Sequence, residues 1–540
     1  MKRLGFSVGL ALVLGTTSAL SQGVTVAPAA TAASIIAPVQ LEPGAEALRD
    51  ALQGGGEEYA ALDAVYAFHD YEPIWSPMKA EVLLAALRSA ASHGLPVDRY
   101  APAELATLTS DEESYHDREI ALSKAFLTYA RDVNSGLLEP RSVDRDIVVA
   151  PKRPNPEALL EGLAETRDPV GYLQALAPTH AHYTDLLGER ARLEVLISQG
   201  GWGETVPDGP TLRPGDIDPR VVDLRTRIST MSGMDLGISE EYDDVLQEAV
   251  KALQLRHGLN DDAVIGPRTL AAINVQPDRR LQQVLVNLER QRWLNYERGA
   301  RHIYVNQADF SVQVIDHGKT IYTSRVVIGK NKHRTQEFND TMTHMVVNPT
   351  WHVPRSIATE EMLPKLKRNP GSLGRSMQIM TRNGTRVNPQ LVDFSRFNKS
   401  NFPFIVKQRP GGGNALGRVK FMFPNEFNIY LHDTPAKSLF SRDARAYSHG
   451  CVRVQKPFEL AEVLLAPQSE TPKETFQGFL NSGREQYVNL EVPVPVYLTY
   501  QSAWIDEGGV PQYRDDIYGR DGRVFDALSA AGVLAATVEG

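Results

Sequence analysis

The first half of the chain carries hydrophobic residues at helical spacing. In segments 81–91 and 121–133, apolar side chains recur every three or four residues, which predicts amphipathic helices. Segments 156–163 and 169–176 predict two more helices, and each opens on a proline, which is tolerated at the first helical position. Together these segments predict a mainly helical domain over residues 45–215.

A second helical unit follows a stretch rich in glycine and proline, residues 200–219, which marks a domain boundary. Residues 243–258 place apolar side chains on adjoining faces of one helix. A tight polar loop comes next, and Gly266-Pro267 then opens another helix. The pattern predicts a small helical domain over residues 220–276.

The pattern changes near residue 301, where hydrophobic and polar residues begin to alternate as they do in half-buried strands. The segments with this pattern or with short apolar runs are 303–314, 326–329, 345–347, 419–423 and 428–432. One helix is predicted at 457–465. We therefore expect a mostly β domain over residues 298–500, followed by an extension over 501–540.

Within this β domain, residues 357–416 form a long polar stretch rich in glycine and proline. A structureless loop of that length inside a compact domain is uncommon, so we expect an inserted subdomain there. The fold class expected for the whole chain is multidomain α+β.

The first residues have the composition of an export signal. Lys2 and Arg3 precede a short apolar run, and small residues suited to cleavage follow it. We expect a signal peptide over residues 1–22 and a flexible linker rich in alanine and proline over 23–44. The apolar run is short for a membrane anchor.

Composition narrows the function classes. The chain has 540 residues, too many for one hydrophobic core, and its 42% hydrophobic content is typical of globular proteins. A net charge of −9 argues against a nucleic-acid or anionic-membrane surface. No nucleic-acid partner and no membrane span in the mature chain are expected.

The only cysteine, Cys451, lies in the run Ser-His-Gly-Cys-Val-Arg. A lone cysteine cannot close an internal disulfide, and most such residues are small buried hydrophobes. Here His449 and Gly450 precede it, and His432 ends an apolar segment fifteen residues before Ser448. A thiol near a base is the usual arrangement of a cysteine nucleophile.

These residues resemble the active site of L,D-transpeptidases with the YkuD-type catalytic domain, which are enzymes that cross-link bacterial peptidoglycan. The order of the segments resembles the large periplasmic branch of that family. The resemblance implies a helical scaffold domain, a small three-helix peptidoglycan-binding domain, and a mostly β catalytic domain whose insertion caps the substrate cleft. A generic helical hairpin is the alternative for the second of these.

The resemblance assigns roles to four residues. Cys451 is expected as the nucleophile and His432 as the general base, with His449 as a supporting residue that shapes the site. Gly450 permits close backbone approach, so that its N–H and that of Cys451 face the oxyanion.

Four more residues are candidates for substrate binding. Tyr430 shares a strand face with His432, and the resemblance places an aromatic hydroxyl near the oxyanion; a core tyrosine is the alternative. Trp351 resembles a wall of the cleft, with core packing as the alternative. Arg453 is expected to orient the motif, meet a substrate carboxylate or form a structural ion pair. Ser448 is expected to brace the loop.

The implied reaction is acyl transfer through Cys451, with release of the terminal D-alanine of a tetrapeptide stem and formation of a 3→3 cross-link. The partners are donor and acceptor stem peptides in the periplasm, and no cofactor or metal is expected. Alternatives are an L,D-carboxypeptidase, a non-catalytic peptidoglycan-binding protein, and a zinc site built from His432, His449 and Cys451.

Overall fold

The structure is a computed structural model, and it describes residues 41–109 and 115–535. The expected signal peptide at 1–22 and most of the expected linker at 23–44 lie outside the described residues. In the part of the chain that is described, no helix has both the length and the apolar character needed to cross a membrane.

The N-terminal region is helical, as the hydrophobic periodicity predicts. Its helices are α1 (Pro43–Gly54), α2 (Ala60–Phe68), α3 (Pro77–Arg88), α4 (Pro102–Thr109), α5 (Tyr115–Ser135), α6 (Pro140–Val143), α7 (Pro156–Glu165), α8 (Pro169–Gln174) and α9 (Ala181–Ser198). Side chains such as Trp75 and Phe126, whose rings meet edge to face at 5.9 Å, form one hydrophobic core. The periodicity analysis predicted α3, α5, α7 and α8 and missed α1, α2, α4, α6 and α9.

Three helices form the next unit: α10 (Arg220–Ser232), α11 (Asp244–Arg256) and α12 (Pro267–Asn274). Asp243 caps α11 by accepting a hydrogen bond from Leu246 N at 3.0 Å, and Pro267 begins α12. The unit has a separate core that includes Leu246, Val250 and Leu253.

A long helix that the sequence analysis did not predict, α13 (Pro277–Trp293), joins the helical region to the β domain. Its buried residues include several charged ones. Arg292 pairs with Glu289 at 2.8 Å, and Arg290 pairs with Asp521 at 2.6 Å. Ion pairing is what permits these charges to be buried.

The β domain is built on a nine-stranded sheet. Its strands are β1 (Arg301–Asn306), β2 (Ser311–Asp316), β3 (Lys319–Gly329), β4 (Phe338–Val347), β9 (Val419–Met422), β10 (Leu431–His432), β11 (Ala446–Ser448), β12 (Val452–Val454) and β13 (Gln486–Thr499). They lie in the order β11-β3-β12-β10-β9-β4-β13-β1-β2, and β2 also pairs with β3, which closes the sheet. Helices α16 (Pro457–Leu465) and α17 (Pro472–Asn481) pack on its core.

The predicted strand at 428–432 is wrong in its first three residues, since only Leu431 and His432 are extended. Asn428 has a left-handed φ of 55°, which a strand does not allow. The side chain of Asn425 accepts from Ile429 N at 3.1 Å and so holds this segment as a turn.

The long insertion has a fold and a core of its own. Its sheet has the order β5-β8-β6-β7, with β5 (Trp351–His352), β6 (Met377–Met380), β7 (Arg386–Val387) and β8 (Ile405–Gln408). Against it lie α14 (Arg355–Ile357), a π-helical segment (Ala358–Met362) and α15 (Leu363–Arg368). Phe394, Phe402 and Val406 are buried in this core. The subdomain begins at Trp351, a few residues before the expected 357.

The last elements described return to the helical region. These are the hairpin β14 (Ala503–Ile505) and β15 (Pro511–Tyr513) and the helix α18 (Arg520–Ala530). Val524 and Leu528 belong to the same hydrophobic core as Leu48 and Leu52 of α1. Most of the buried apolar residues of the expected extension over 501–540 therefore belong to the N-terminal core, whereas Tyr518 belongs to the core of the β domain.

Four largely buried histidines predict a loss of stability in acid. Burial, as the largest cause, lowers the pKa of His93 and His180 to about 4 and that of His257 and His432 to about 3. Because an unfolded histidine titrates near ~6.5, acid protonates the unfolded chain first. The free energy of unfolding should fall from about pH 6.5 downwards, by up to ~1.4 kcal/mol per pH unit for each histidine.

The measurement is the urea midpoint as a function of pH. Among the described residues neither ring nitrogen of His180 has a geometrically sound hydrogen-bond partner, so His180→Leu should reduce the slope of the urea midpoint against pH. The control is His317→Gln, because the His317 side chain is 82% exposed. If the urea midpoint depends on pH with the same slope in both variants, the expectation is contradicted.

Candidate active site

Four of the candidate residues lie close together where two adjacent strands begin. Strand β10 runs parallel to β12, with Leu431 opposite Val452 and His432 opposite Arg453. Tyr430 and Cys451 immediately precede these strands. The rings of Tyr430 and His432 lie 5.7 Å apart, and both Tyr430 and Arg453 act electrostatically on the Cys451 thiol. The structure therefore brings these four residues together.

The Cys451 thiol is protonated at rest. Burial, as the largest cause, raises the pKa of the thiol above its ordinary value, although the Tyr430 N–H and side chain and the charges of Arg453 and Lys420 oppose this. The Sγ atom contacts the carbonyl oxygen of Asn428 at 3.6 Å, and the thiol donates to it. A base is therefore needed to form the thiolate during reaction.

His432 has the protonation state of a base. Its Nδ1 lies 2.5 Å from the carbonyl oxygen of Asp433, and since a carbonyl only accepts, Nδ1 carries the proton. Nε2 is then a free acceptor. Burial, followed by the positive charge of Arg453, lowers the pKa of His432 to about 3, so the imidazole is neutral near pH 7.

Ser448 makes two hydrogen bonds within the loop that carries the cysteine. Its Oγ donates to the carbonyl oxygen of Cys451 at 2.5 Å and accepts from Gly450 N at 3.1 Å. Gly450 has φ +114°, a conformation that favours glycine. The Gly450 N–H, expected to face an oxyanion, is thus engaged by Ser448. Of the two expected donors, the Cys451 N–H alone has no acceptor among the described residues.

A second cation beside the histidine was missed by the sequence analysis. Lys420 of β9 lies opposite His432 in the antiparallel register, so one row across the sheet carries Lys420, His432 and Arg453. Lys420 Nζ lies 5.6 Å from the centroid of the Tyr430 ring. The sequence showed only a lysine inside an apolar strand pattern, and this pattern does not indicate which residue of another strand lies beside the lysine.

Arg453 makes no ion pair with any carboxylate in the described ranges. Its Nε is buried and lacks a hydrogen-bond partner, and burial lowers the pKa of its guanidinium. The structural ion pair considered from sequence is therefore not present. Lys420 likewise lacks an acidic partner within ion-pair distance in this part of the chain, which leaves two positive charges on the face that carries the thiol.

His449 connects the motif to the insertion. Its Nε2 lies 2.6 Å from Oε1 of Glu361, a residue of the π-helical segment, and 3.4 Å from Nζ of Lys330. The ring of His333 lies against that of His449, with centroids 4.9 Å apart. π-helical turns occur often at functional sites, and this one places an acid beside the cysteine loop.

Trp351 lies on the inserted subdomain. It is half-buried, pairs with Gln408 across β5 and β8, and packs against the core of the insertion. The sequence alternatives were a cleft wall and core packing, and the contacts are those of packing at the base of the insertion.

The described residues contain no group of three or more His, Cys, Asp or Glu side chains arranged to hold a metal ion. His432, His449 and Cys451 therefore do not form the zinc cluster considered from sequence.

The contact between Glu361 and His449 gives a testable expectation. Glu361→Ala should lower turnover on peptidoglycan about tenfold or more, since a hydrogen bond to a charged group contributes about 1.5–3 kcal/mol. Hydrogen exchange of the insertion should rise in the same variant. The matched control is Glu360→Ala, because Glu360 pairs with the exposed Lys399 at 2.6 Å. If turnover and hydrogen exchange change equally in the two variants, the contact between Glu361 and His449 has no role in the reaction.

Three family models match the chain. Residues 60–189 match a scaffold domain, residues 218–273 match a family described as "Putative peptidoglycan binding domain", and residues 300–482 match the YkuD L,D-transpeptidase catalytic domain. The three matches fall in the helical region, the three-helix unit and the β domain with its insertion, and strand β13 lies beyond the third match.

A Haemophilus influenzae protein described as "Putative L,D-transpeptidase" is 36% identical over 247 residues, which are 45% of this chain and 49% of that protein. The chain thus spans about half the length of the curated relative it matches. An L,D-transpeptidase from Mycobacterium smegmatis is 11% identical, with 37% of this chain and 58% of that chain covered and a TM-score of 0.18. One from Stackebrandtia nassauensis is 12% identical, with 55% and 97% covered and a TM-score of 0.21.

The motif around Cys451 lies inside the matched range 300–482, on the closed sheet described above. The chain therefore contains an L,D-transpeptidase catalytic domain of the YkuD family, joined to a scaffold domain and a peptidoglycan-binding domain.

Proposed function

We propose that this protein is a peptidoglycan L,D-transpeptidase that forms 3→3 cross-links through an acyl-enzyme on Cys451. The observation that carries the proposal is the proximity of Cys451, Tyr430 and His432: the Tyr430 ring lies 5.7 Å from the His432 ring, and Tyr430 acts electrostatically on the Cys451 thiol. It supplies a protonated nucleophile, a neutral base and an adjacent phenol in one place.

The first half-reaction begins when the thiol turns from the Asn428 carbonyl towards His432. Nε2 of His432 takes the thiol proton as Sγ bonds to the carbonyl carbon of the third stem residue. The Cys451 N–H stabilises the oxyanion. The bond to the terminal D-alanine then breaks, and His432 returns the proton to the leaving amine. The product is a thioester.

In the second half-reaction, the side-chain amine of a diamino acid in a neighbouring stem attacks the thioester carbonyl. His432 takes the proton of this amine, the carbon–sulfur bond breaks, and the proton returns to Sγ. One amide is lost and one is gained, so no ATP is needed. If water replaces the amine, the result is L,D-carboxypeptidase activity.

Charge in the site favours an anionic donor. Lys420 and Arg453 flank His432 without acidic partners in the described chain, and a stem peptide carries free carboxylates. The Glu361–His449 hydrogen bond joins the insertion to the cysteine loop, and in this proposal the insertion covers the cleft and excludes water from it. The peptidoglycan-binding domain holds the polymer, and the protein acts in the periplasm after export.

Mass spectrometry of muropeptides tests the proposal. Purified protein is incubated with disaccharide tetrapeptides, and we expect a 3→3-linked dimer together with free D-alanine. Tripeptide products alone would assign the protein as a carboxypeptidase. No product under conditions in which the protein is folded would overturn both assignments.

A further inference from the structure

The inserted subdomain, residues 351–416, is strongly basic in an otherwise acidic protein. It contains eleven lysines and arginines but three aspartates and glutamates, which gives it a net charge of +8, whereas the whole chain carries −9. The three acids already have partners, which are Lys399 for Glu360 at 2.6 Å, His449 for Glu361 at 2.6 Å, and the Ser395 N–H for Asp393 at 3.1 Å. Most cations of the insertion therefore have no acid of the insertion beside them, and such a surface attracts anions.

The sheet of the insertion, β5-β8-β6-β7, has one face on its core and one open face. On the core side lie buried side chains such as Ile379 and Val406. Strand register places the following side chains on the other face: His352, Lys407, Gln378, Ile405, Met380 and Arg386. Ile405 is 39% exposed although it is hydrophobic, so this face is accessible.

Three cations lie on the open face. Lys407 and Arg386 belong to it by register. Arg409 joins them, because its guanidinium donates to the side-chain oxygen of Gln378 at 2.7 and 2.8 Å. None of the three forms an ion pair with a carboxylate in residues 41–109 or 115–535, and arginine in particular presents paired donors that match the geometry of a carboxylate.

The open face adjoins the residues around Cys451, and His352 is the link. Burial lowers the pKa of His352, and the positive charges of Lys407 and Lys420 lower it further, although Glu485 opposes them. His352 is therefore close to a lysine of the insertion and to a lysine of the catalytic sheet. Lys420 also acts electrostatically on the Cys451 thiol. Positive charge thus continues from the thiol, past His352, onto the insertion.

This position suits the acceptor of the second half-reaction. The donor carbonyl has to lie at Sγ of Cys451, where Lys420 and Arg453 are the cations that act on the thiol. The acceptor needs only its amine at the thioester, so its carboxylates extend outwards from Sγ. A neutral glycan would gain nothing from unpaired cations there, whereas an acidic stem peptide does.

We propose that the open face carrying Arg386, Lys407 and Arg409 binds the carboxylates of the acceptor stem peptide and thereby holds its amine at the acyl-enzyme. This inference rests on the proposed function, because it takes a second stem peptide as the ligand. The three residues touch the acceptor and not the reacting carbonyl. They therefore decide how the acyl-enzyme divides between the amine and water.

The first test measures that division in the full chain with Arg386→Gln, Lys407→Gln and Arg409→Gln, called the face variant. With an isotope-labelled tetrapeptide donor and an unlabelled tripeptide acceptor, the ratio of labelled 3→3 dimer to labelled tripeptide should fall about tenfold, because several exposed ion pairs are lost together. Acylation of Cys451 by a carbapenem needs no acceptor and should change far less. High salt should reduce the ratio in the unmodified protein.

The matched control removes the same charge from exposed residues of the insertion that lie outside its sheet. Its substitutions are Lys367→Gln, Arg368→Gln and Arg396→Gln. The control should keep the ratio of dimer to hydrolysed product found in the unmodified protein, since net charge alone does not position an acceptor.

The second test measures binding without catalysis, in the full chain carrying Cys451→Ala. Binding of the tripeptide, followed by calorimetry, should weaken about tenfold when the three substitutions of the face variant are added. A tripeptide with amidated carboxylates and a free amine should bind weakly, and equally to both proteins. Vesicles of phosphatidylglycerol serve as the probe for a membrane surface as the alternative partner.

Equal losses of transfer in the face variant and the control would overturn the inference, and so would an unchanged ratio in the face variant. Carbapenem acylation that falls as much as transfer would also overturn it. So would vesicle binding that depends on the three residues when tripeptide binding does not. A protein that binds the tripeptide through this face but makes no cross-links would retain this surface and lose the proposed function.

Discussion

We expect Cys451→Ala and Cys451→Ser to abolish cross-link formation while the protein remains folded. The reason is that Cys451 is the only thiol in the chain, and on the proposed mechanism it alone carries the acyl group. Loss should reach the detection limit of the muropeptide assay. Unchanged far-UV circular dichroism and thermal midpoint would show that the fold persists.

A carbapenem provides a second measurement on the same residue. Its β-lactam is an activated amide, and opening by the thiolate should add one drug mass to the intact protein, on the peptide that contains residues 448–453. The adduct should be absent from Cys451→Ala. An adduct that persists in that variant, or normal 3→3 dimers from it, would refute the nucleophile. Deletion of the insertion should reduce transfer to peptidoglycan more than this acylation.

We expect His432→Ala to lower turnover by about 10²–10⁴-fold, the usual contribution of a general base. The effect should be large because the resting thiol is protonated and the free Nε2 of His432 is the acceptor proposed for its proton. Alkylation of Cys451 by iodoacetamide should slow in the same variant. In the intact protein, alkylation should accelerate as the pH rises, since burial raises the pKa of the thiol.

Ser448→Ala is the matched control, because Ser448 Oγ holds the loop through Gly450 N and the Cys451 carbonyl without taking part in proton transfer. Its effect on turnover should be far smaller than that of His432→Ala. If His432→Ala retains turnover and unchanged alkylation, the base lies elsewhere, and His449 becomes the candidate.

The sequence predicted those parts of the fold that obey a local rule. Helices α3, α5, α7 and α8 were found because one face of each is apolar. Helix α13 was missed because its buried positions include Glu289, Arg290 and Arg292, which form ion pairs with residues near and far in the chain. A polar residue in the sequence does not reveal that a partner will neutralise it.

Some residues of the candidate site could likewise be predicted from the sequence, and others could not. Residues 448–453 are contiguous, so the motif could be recognised directly. Lys420 and Glu361 reach the site only through strand register and through the position of the insertion, neither of which hydrophobic periodicity encodes. The engagement of the Gly450 N–H by Ser448 likewise depends on the left-handed backbone at Gly450.

The shared core of α1 and α18 has a consequence for how the molecule folds. Leu48 and Leu52 are synthesised long before Val524 and Leu528, yet all four belong to one hydrophobic cluster. Contacts between residues so distant in sequence carry a high loop-closure entropy and slow folding. The helical core therefore cannot be completed before α18 has been synthesised. Until then the apolar face of α1 lacks these partners and requires protection from aggregation.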